Sequence, residues 1–230
     1  MGVVAALVGA AAALGATTPP KSLLPQNLSA AGADAVIPDV AVDSRGDTVV
    51  VWAQAVNQDW TVQSAYRPAG GSWSKALPLS AAAGHVQSPE VAVAGSTVVA
   101  TWLRYNGKNL ILQVAERDPK TGSWSIPVSL SPSGRDAQTP KVAVDARGDT
   151  VVVWADVGLN PSWTIQSAYR PAGGSWENTT LLDSPEQGTA QPDVAMDAAG
   201  NATAVWAASG NGRVWTVRAS YRTAAGVWSK

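Results

Sequence analysis

Four tryptophans, Trp73, Trp124, Trp176 and Trp228, recur at steps of 51, 52 and 52 residues, so the chain is built from one unit used four times. Two further marker sets keep that register. Pro38, Pro89, Pro140 and Pro192 step by 51, 51 and 52, and Trp52, Trp102, Trp154 and Trp206 by 50, 52 and 52. The first and third units are nearly the same sequence, with VAVDSRGDTVVVWA at residues 40–53 and VAVDARGDTVVVWA at 142–155. An internal duplication accounts for that identity.

One unit reads as four short strands. Residues 38–43 (PDVAVD) alternate Val40 and Val42 against Ala41, the period of a strand. Asp43, Ser44, Arg45 and Gly46 form a tight turn, with the Asp side chain capping the backbone and Gly taking positive φ. Residues 48–52 (TVVVW) carry β-branched side chains on both faces, as a strand covered on both sides requires. A polar loop leads to a third strand at 60–67, with Trp60, Val62, Ser64 and Tyr66 on one face. After the turn at 68–71, a fourth runs from Trp73 to Ser80. Pro78 cannot donate to a ladder, which puts that strand at a sheet edge.

Four antiparallel strands in about fifty residues, with two-sided burial in the middle and a proline-marked outer strand, predict an all-β fold, a β-propeller of four repeats. A β-trefoil needs three units, and a solenoid rung is shorter. The units run approximately over residues 34–85, 86–136, 137–189 and 190–230 plus 21–29, within a single domain at 17–230. The last unit reaches Trp228 where its fourth strand should continue, whereas residues 24–29 (LPQNLS) stand 51 before 75–80 (KALPLS). The N-terminal strand is therefore expected to complete the last blade and remove an open edge. The rival expectation is a piece of a longer array, or chains that self-associate into a larger ring.

Residues 2–16 are almost wholly Ala, Val, Leu and Gly, the length of a signal-peptide core and short for a membrane span. Residues 1–16 are read as a signal peptide with cleavage near Ala16 and a secreted or cell-surface product. The first basic residue is Lys21, so the usual basic region ahead of the core is missing; an Ala-rich leader is the bland alternative. Charged residues make up 14% of the chain and its net charge is −1, which gives no basic field for nucleic acid. Zero cysteines exclude disulfides and thiolate chemistry.

The hairpin at residues 64–73 (SAYRPAGGSW) resembles a degraded Asp-box, the S-x-D-x-G-x-[TS]-W hairpin of sialidase-type propellers. Gly70, Ser72 and Trp73 fit, while Tyr66 and Pro68 stand at the Ser and Asp positions, and Tyr169 and Pro171 repeat that departure. The whole unit also resembles repeats of exported bacterial propellers with no assigned activity. The sialidase resemblance would imply three arginines converging on a carboxylate, a Tyr/Glu nucleophile pair and an Asp acid. Nothing here fills those roles, and no catalytic residue, metal ligand or cofactor is assigned. Arg67, Arg117, Arg170 and Arg222 recur beside the third-to-fourth strand turns, near the Asp43, Asp145 and Asp197 turns, and are expected to form a structural pair within each blade.

In a propeller the second-to-third strand loops share a face with the blade links. Here those loops, at residues 54–59, 103–109, 155–162 and 207–214, differ from one another, and variable loops on a fixed scaffold are where binding resides. Asn57, Arg104, Tyr105, Asn109, Asn160, Asn211 and Arg213 offer hydrogen bonds to sugar hydroxyls; ordinary solvated loops are the bland reading. Trp60, Trp163 and Trp215 start the third strand at that end, as sugar platforms or, more usually, as interblade core. Asp39, Glu90, Lys141 and Asp193 would ring a channel mouth, where a Ca²⁺ is opposed by Lys141. His85, the only histidine, falls on a blade link. The reading is a non-catalytic binding module whose partner is a glycan or an extracellular protein. A sialidase-like glycoside hydrolase and a structural unit of a larger surface array are the alternatives.

Overall fold

The computed structural model describes residues 24–82, 84–158, 163–183 and 188–229. The expected signal peptide and Asn160 lie outside these residues. Each repeat unit becomes one antiparallel sheet. The first holds β1 (Ala35–Val42), β2 (Thr48–Val56), β3 (Asp59–Arg67) and β4 (Leu77–Pro78), and the second β5 (Val86–Ala94), β6 (Thr97–Tyr105), β7 (Leu110–Arg117) and β8 (Val128–Ser129). The third holds β9 (Asp136–Val144), β10 (Thr150–Val157), β11 (Trp163–Arg170) and β12 (Thr180–Leu181), and the fourth β13 (Gly188–Met196), β14 (Ala202–Ser209) and β15 (Thr216–Arg222). Among the described residues no helix occurs, and none is long and apolar enough to cross a membrane.

The sheets stack face to face because the second strand of each is apolar on both sides. In β2, Val49, Val51 and Ala53 pack against Val98, Ala100 and Trp102 of β6, with Val62 of β3 in the same cluster. Val152 and Trp154 of β10 meet Leu103 and Leu112, and Ala204 and Trp206 of β14 meet Val153 and Ile165. The expected face of β3 is correct, since Val62, Ser64 and Tyr66 all look toward the second sheet. The first strands β1, β5, β9 and β13 pack in succession along one side of the stack.

Those first strands start earlier than the proline pattern suggests. Each carries a register shift at the repeat proline, and the residue before it has positive φ: Ile37 at 53°, Ser88 at 48°, Thr139 at 45° and Gln191 at 53°. Proline has no N–H for the ladder, so a bulge absorbs it within the strand and pairing resumes on both sides. The fourth strands are shorter than predicted. Each is two residues long in three sheets, with Pro78 on the outer edge as expected, and among the described residues the fourth sheet has in its place the bridge Arg222–Trp228.

The N-terminal segment does not complete the fourth sheet. Residues 26–30 lie instead along the first sheet, beside Val36, Pro38, Val50 and Trp52 and against Trp73–Ala76. The reason is that the first and fourth sheets do not cover each other's outward faces. Val40 is 58% exposed where its counterpart Val91 is 7%, and Val217 is 82% exposed where Val62, Leu112 and Ile165 are 0%.

Burial of this kind sets the energetics. Replacing Leu112 by Ala removes a fully buried side chain between the second and third sheets and is expected to cost about 2–5 kcal/mol in urea unfolding.

Candidate functional site

The two ends of the stack differ in what their loops must do. At the turn end, the Asp43 carboxylate accepts from the backbone N–H of Arg45 and Asp47, each at 2.9 Å, and Asp145 repeats the pattern with Arg147 and Asp149. Arg45 Nη2 then donates across to Gly95 O at 2.7 Å, and Arg147 Nη2 to Ala199 O at 3.0 Å. Gly200 has φ 84°, and a Cβ there would collide with the Arg147 guanidinium, so glycine is required at that crossing. This face is committed to joining sheets.

Three of the recurrent arginines, Arg117, Arg170 and Arg222, also join sheets, which corrects the expected pairing within each blade. The guanidinium of Arg117 stacks on Tyr66 at 4.1 Å and that of Arg222 on Tyr169 at 3.4 Å, each reaching back to the preceding sheet. Arg170 meets Glu116, which replaces the tyrosine in the second unit, at 2.8 Å. Of the turn aspartates, Asp43 and Asp145 take Arg45 and Arg147 instead, and Asp197 takes Asn201. A tyrosine face attracts a cation through its quadrupole, and the flat guanidinium covers the ring's apolar area as well.

At the loop end the polar groups are less uniform. Between the first and second sheets, Gly84 N–H donates to Asp59 Oδ1 at 3.0 Å, Trp60 N–H to Gly84 O at 3.0 Å, and Tyr105 N–H to His85 O at 2.9 Å. The link at residues 84–85 therefore gathers Asp59, Trp60, His85 and Tyr105 at one seam. Asn57 sits in the β2–β3 turn with φ 58° and is exposed, as is His85. Tyr105 is 40% exposed at the end of β6, and Arg104 before it is half-buried. Its counterparts in the other units are Ala55, Val157 and Ser209, so this aromatic is not part of the repeat.

The other expected loop residues are placed differently. Asn109 Nδ2 donates to the Asp136 carboxylate, Oδ1, at 3.2 Å, while Asn211 Oδ1 accepts from the N–H of Arg213 and Val214 and so holds its own backbone. Arg213 is exposed. Trp60 and Trp163 pack against the interblade clusters. Trp215 is exposed and lies over Gly188, but it borders the uncovered face of the fourth sheet, which accounts for its exposure.

Asp39, Glu90, Lys141 and Asp193 do gather at the first strands, but they are used between neighbours. Asp39 Oδ2 accepts from Val91 N–H at 2.8 Å, and Lys141 Nζ donates to Glu90 Oε1 at 2.7 Å. Asp193 accepts from the N–H of Val194. Burial pushes the Glu90 carboxyl above its usual range, Lys141 opposes this, and the charges of Asp39 and Asp193 add to the rise. Among the described residues no cluster of three or more His, Asp or Glu side chains is placed to hold a metal ion. Sequence reasoning missed Asp136 and Asp156. Asp136 ties Leu110 N–H at 2.8 Å, and buried Asp156 takes Arg135 Nε at 2.8 Å. A lone carboxylate at the end of the apolar run VVVWADV was the available signal.

The titrations fix a pH dependence. In Asp43, burial works upward but is outweighed by the N–H groups of Asp47 and Arg45 and by the Arg45 guanidinium, so its pKa is lowered; Asp118 is lowered by the N–H groups of Lys120 and Thr121, and Asp197 by Asn201. Their stabilisation is present above the ordinary Asp value of 3.8 and is lost as pH falls through the lowered values. Burial raises Glu90 and Glu116, so their contribution is present below the ordinary Glu value of 4.5 and is lost as pH rises through the raised values. Thermal melts across the acid range should therefore peak between 3.8 and 4.5 and fall on both sides.

No protein-family model matches the chain, and no curated protein matches it in sequence. Solved structures do resemble it. An α-L-arabinanase of Penicillium chrysogenum, complexed with arabinobiose, superposes with a TM-score of 0.56 at 11% identity, over 85% of this chain and 66% of that one. A Hadza microbial sialidase gives a TM-score of 0.56 at 13% identity, over 85% and 46%. A polysaccharide lyase gives 0.50 at 13%, over 84% and 49%. This chain thus spans less than two thirds of each. At such identities the likeness establishes the fold, an all-β propeller-like arrangement.

Proposed function

We propose that this chain is an exported glycan-binding module that uses the loop face at the seam of its first two sheets. The observation that carries this reading is Tyr105. It is an exposed aromatic outside the repeat, on a sheet flanked on both sides, so no packing need explains it. A tyrosine ring stacks on the C–H face of a sugar, and Asp59 and His85 supply hydroxyl partners around it. The apolar leader supports export, and the fold shared with an arabinanase, a sialidase and a lyase suits carbohydrate recognition. A glycan-array screen should return a confined set of ligands. Tyr105→Ala should weaken binding roughly tenfold or more with an unchanged melting temperature, because stacking contributes on the order of 1.4 kcal/mol. A well-folded chain that binds no glycan overturns the reading and leaves an extracellular protein as the partner class.

One observation favours glycoside hydrolysis as a second reading. Burial raises the Glu90 carboxyl, the direction a general acid requires, against the opposing ion pair to Lys141 at 2.7 Å, with Asp39 and Asp193 near enough to act on it electrostatically. That reading expects turnover of a chromogenic arabinoside or sialoside, abolished by Glu90→Gln. Absence of turnover by the folded chain removes it.

A further inference from the structure

The two uncovered faces of the stack are complementary halves of a junction that the molecule already makes three times. On the fourth sheet, Val217, Ala219 and Tyr221 share a face with Thr203, Val205 and Ala207. The counterparts of Val217 in the other sheets are wholly buried by the sheet that follows. On the first sheet, Val40 and Val42 are exposed where Val91 is buried and Val93 packs against the core. The first sheet repeats the third almost residue for residue, and the third docks onto the second through the corresponding side chains. The surface that fits the open face of the first sheet is therefore the trailing face of an even-numbered sheet.

The N-terminal segment points to the same partner. Residues 128–132 lie beside Trp176–Thr179, and residues 180–183 lie beside Gly226–Ser229, so each fourth strand flanks the outer edge of the sheet that follows. Residues 26–30 hold that position beside Trp73–Ala76. They occupy the place of a fourth strand whose own sheet is not there, while the fourth sheet has three strands among the described residues.

We propose that a second copy of this chain docks its fourth sheet onto the open face of the first sheet and takes residues 24–29 as its missing outer strand. The register follows from the pairing of third and outer strands within the first two sheets. Leu79 N–H donates to Val62 O at 2.8 Å and Ser80 Oγ accepts from Val62 N–H at 3.0 Å; Leu130 and Ser131 do the same with Leu112, each at 2.9 Å. Leu28 and Ser29 stand at those positions, and Val217 of the second copy is their partner. Tyr221 completes the match. Among the described residues it has no arginine over its ring, while Arg67 lies near Trp73 of its own sheet at 5.7 Å, as Arg170, which also meets Glu116 of the preceding sheet, lies near Trp176 at 5.9 Å. Each copy offers one leading and one trailing face, so the contact is head to tail and closes when two copies have made it twice. Two copies of four sheets give a ring at the upper end of the roughly four-to-eight-blade range; three copies exceed it.

The test uses the purified chain. Native mass spectrometry should give twice the monomer mass of 23.6 kDa. A monomer at every concentration, or an open polymer, overturns the proposal. Because the chain has no cysteine, Leu28→Cys and Val217→Cys can be made singly and mixed under oxidising conditions. A disulfide-linked dimer should form in the mixture and not from either variant alone. Dimers from each variant alone indicate a symmetric contact and refute the head-to-tail arrangement. The double variant distinguishes the remaining case: linked dimers are expected, whereas a bridge within one chain would show that the four sheets close on themselves and would sink the proposal. Val217→Glu should abolish the dimer while leaving the circular dichroism of the chain unchanged.

Discussion

Burial of each sheet by its neighbour is the interaction on which this molecule depends. Alternate residues of one strand serve two different interfaces: Val49, Val51 and Ala53 face the second sheet, while Val50 and Trp52 face the other way. A strand apolar on both faces is stable only if both are covered, and the apolar area involved is worth about 25 cal/mol per Å² removed from water. Sheets in the middle of the stack satisfy that condition. The first and fourth each satisfy it on one side, which leaves Val40 and Val42 exposed on the one and Trp215, Val217 and Tyr221 on the other.

The polar groups that recur reinforce the same stacking. Asp43 and Asp145 shape a turn so that Arg45 and Arg147 can reach a carbonyl of the next sheet, and Arg117, Arg170 and Arg222 reach back to the sheet before. Asp39 and Lys141 do this at the first strands. Recurrence therefore marks architecture here, and specificity is to be sought in what does not recur. Tyr105 stands out by that criterion, because its neighbours on both sides are already covered and its counterparts are Ala55, Val157 and Ser209. The loop end carries it without disturbing the stack.

The sequence made the repeat, the strand order, the two-sided burial of β2 and the edge position of Pro78 legible, because each follows from spacing and side-chain type within one unit. It did not reveal which unit touches which. Arg117, Arg170 and Arg222 looked like partners of aspartates in their own unit, whereas their partners are Tyr66, Glu116 and Tyr169 of the preceding one. Residues 24–29 were recognised as a fourth strand, but their place beside the first sheet rather than on the fourth depends on whether the stack comes round, which no local pattern encodes. The prolines looked like strand starts because a bulge that absorbs a proline has no signature of its own. At the loop end, Asn57, Tyr105 and Arg213 are exposed, while Asn109 is taken up by the Asp136 carboxylate and Asn211 by nearby backbone, a choice that depends on turn geometry.

Hydrogen exchange across a range of protein concentrations tests the central claim most directly, since amide protection reports whether a strand is covered. With uncovered faces that match each other, protection of Thr216–Arg222 and of residues 24–42 should rise together as concentration increases, while β2, β6 and β10 stay protected throughout. Exchange in both segments that does not change with concentration would contradict the account.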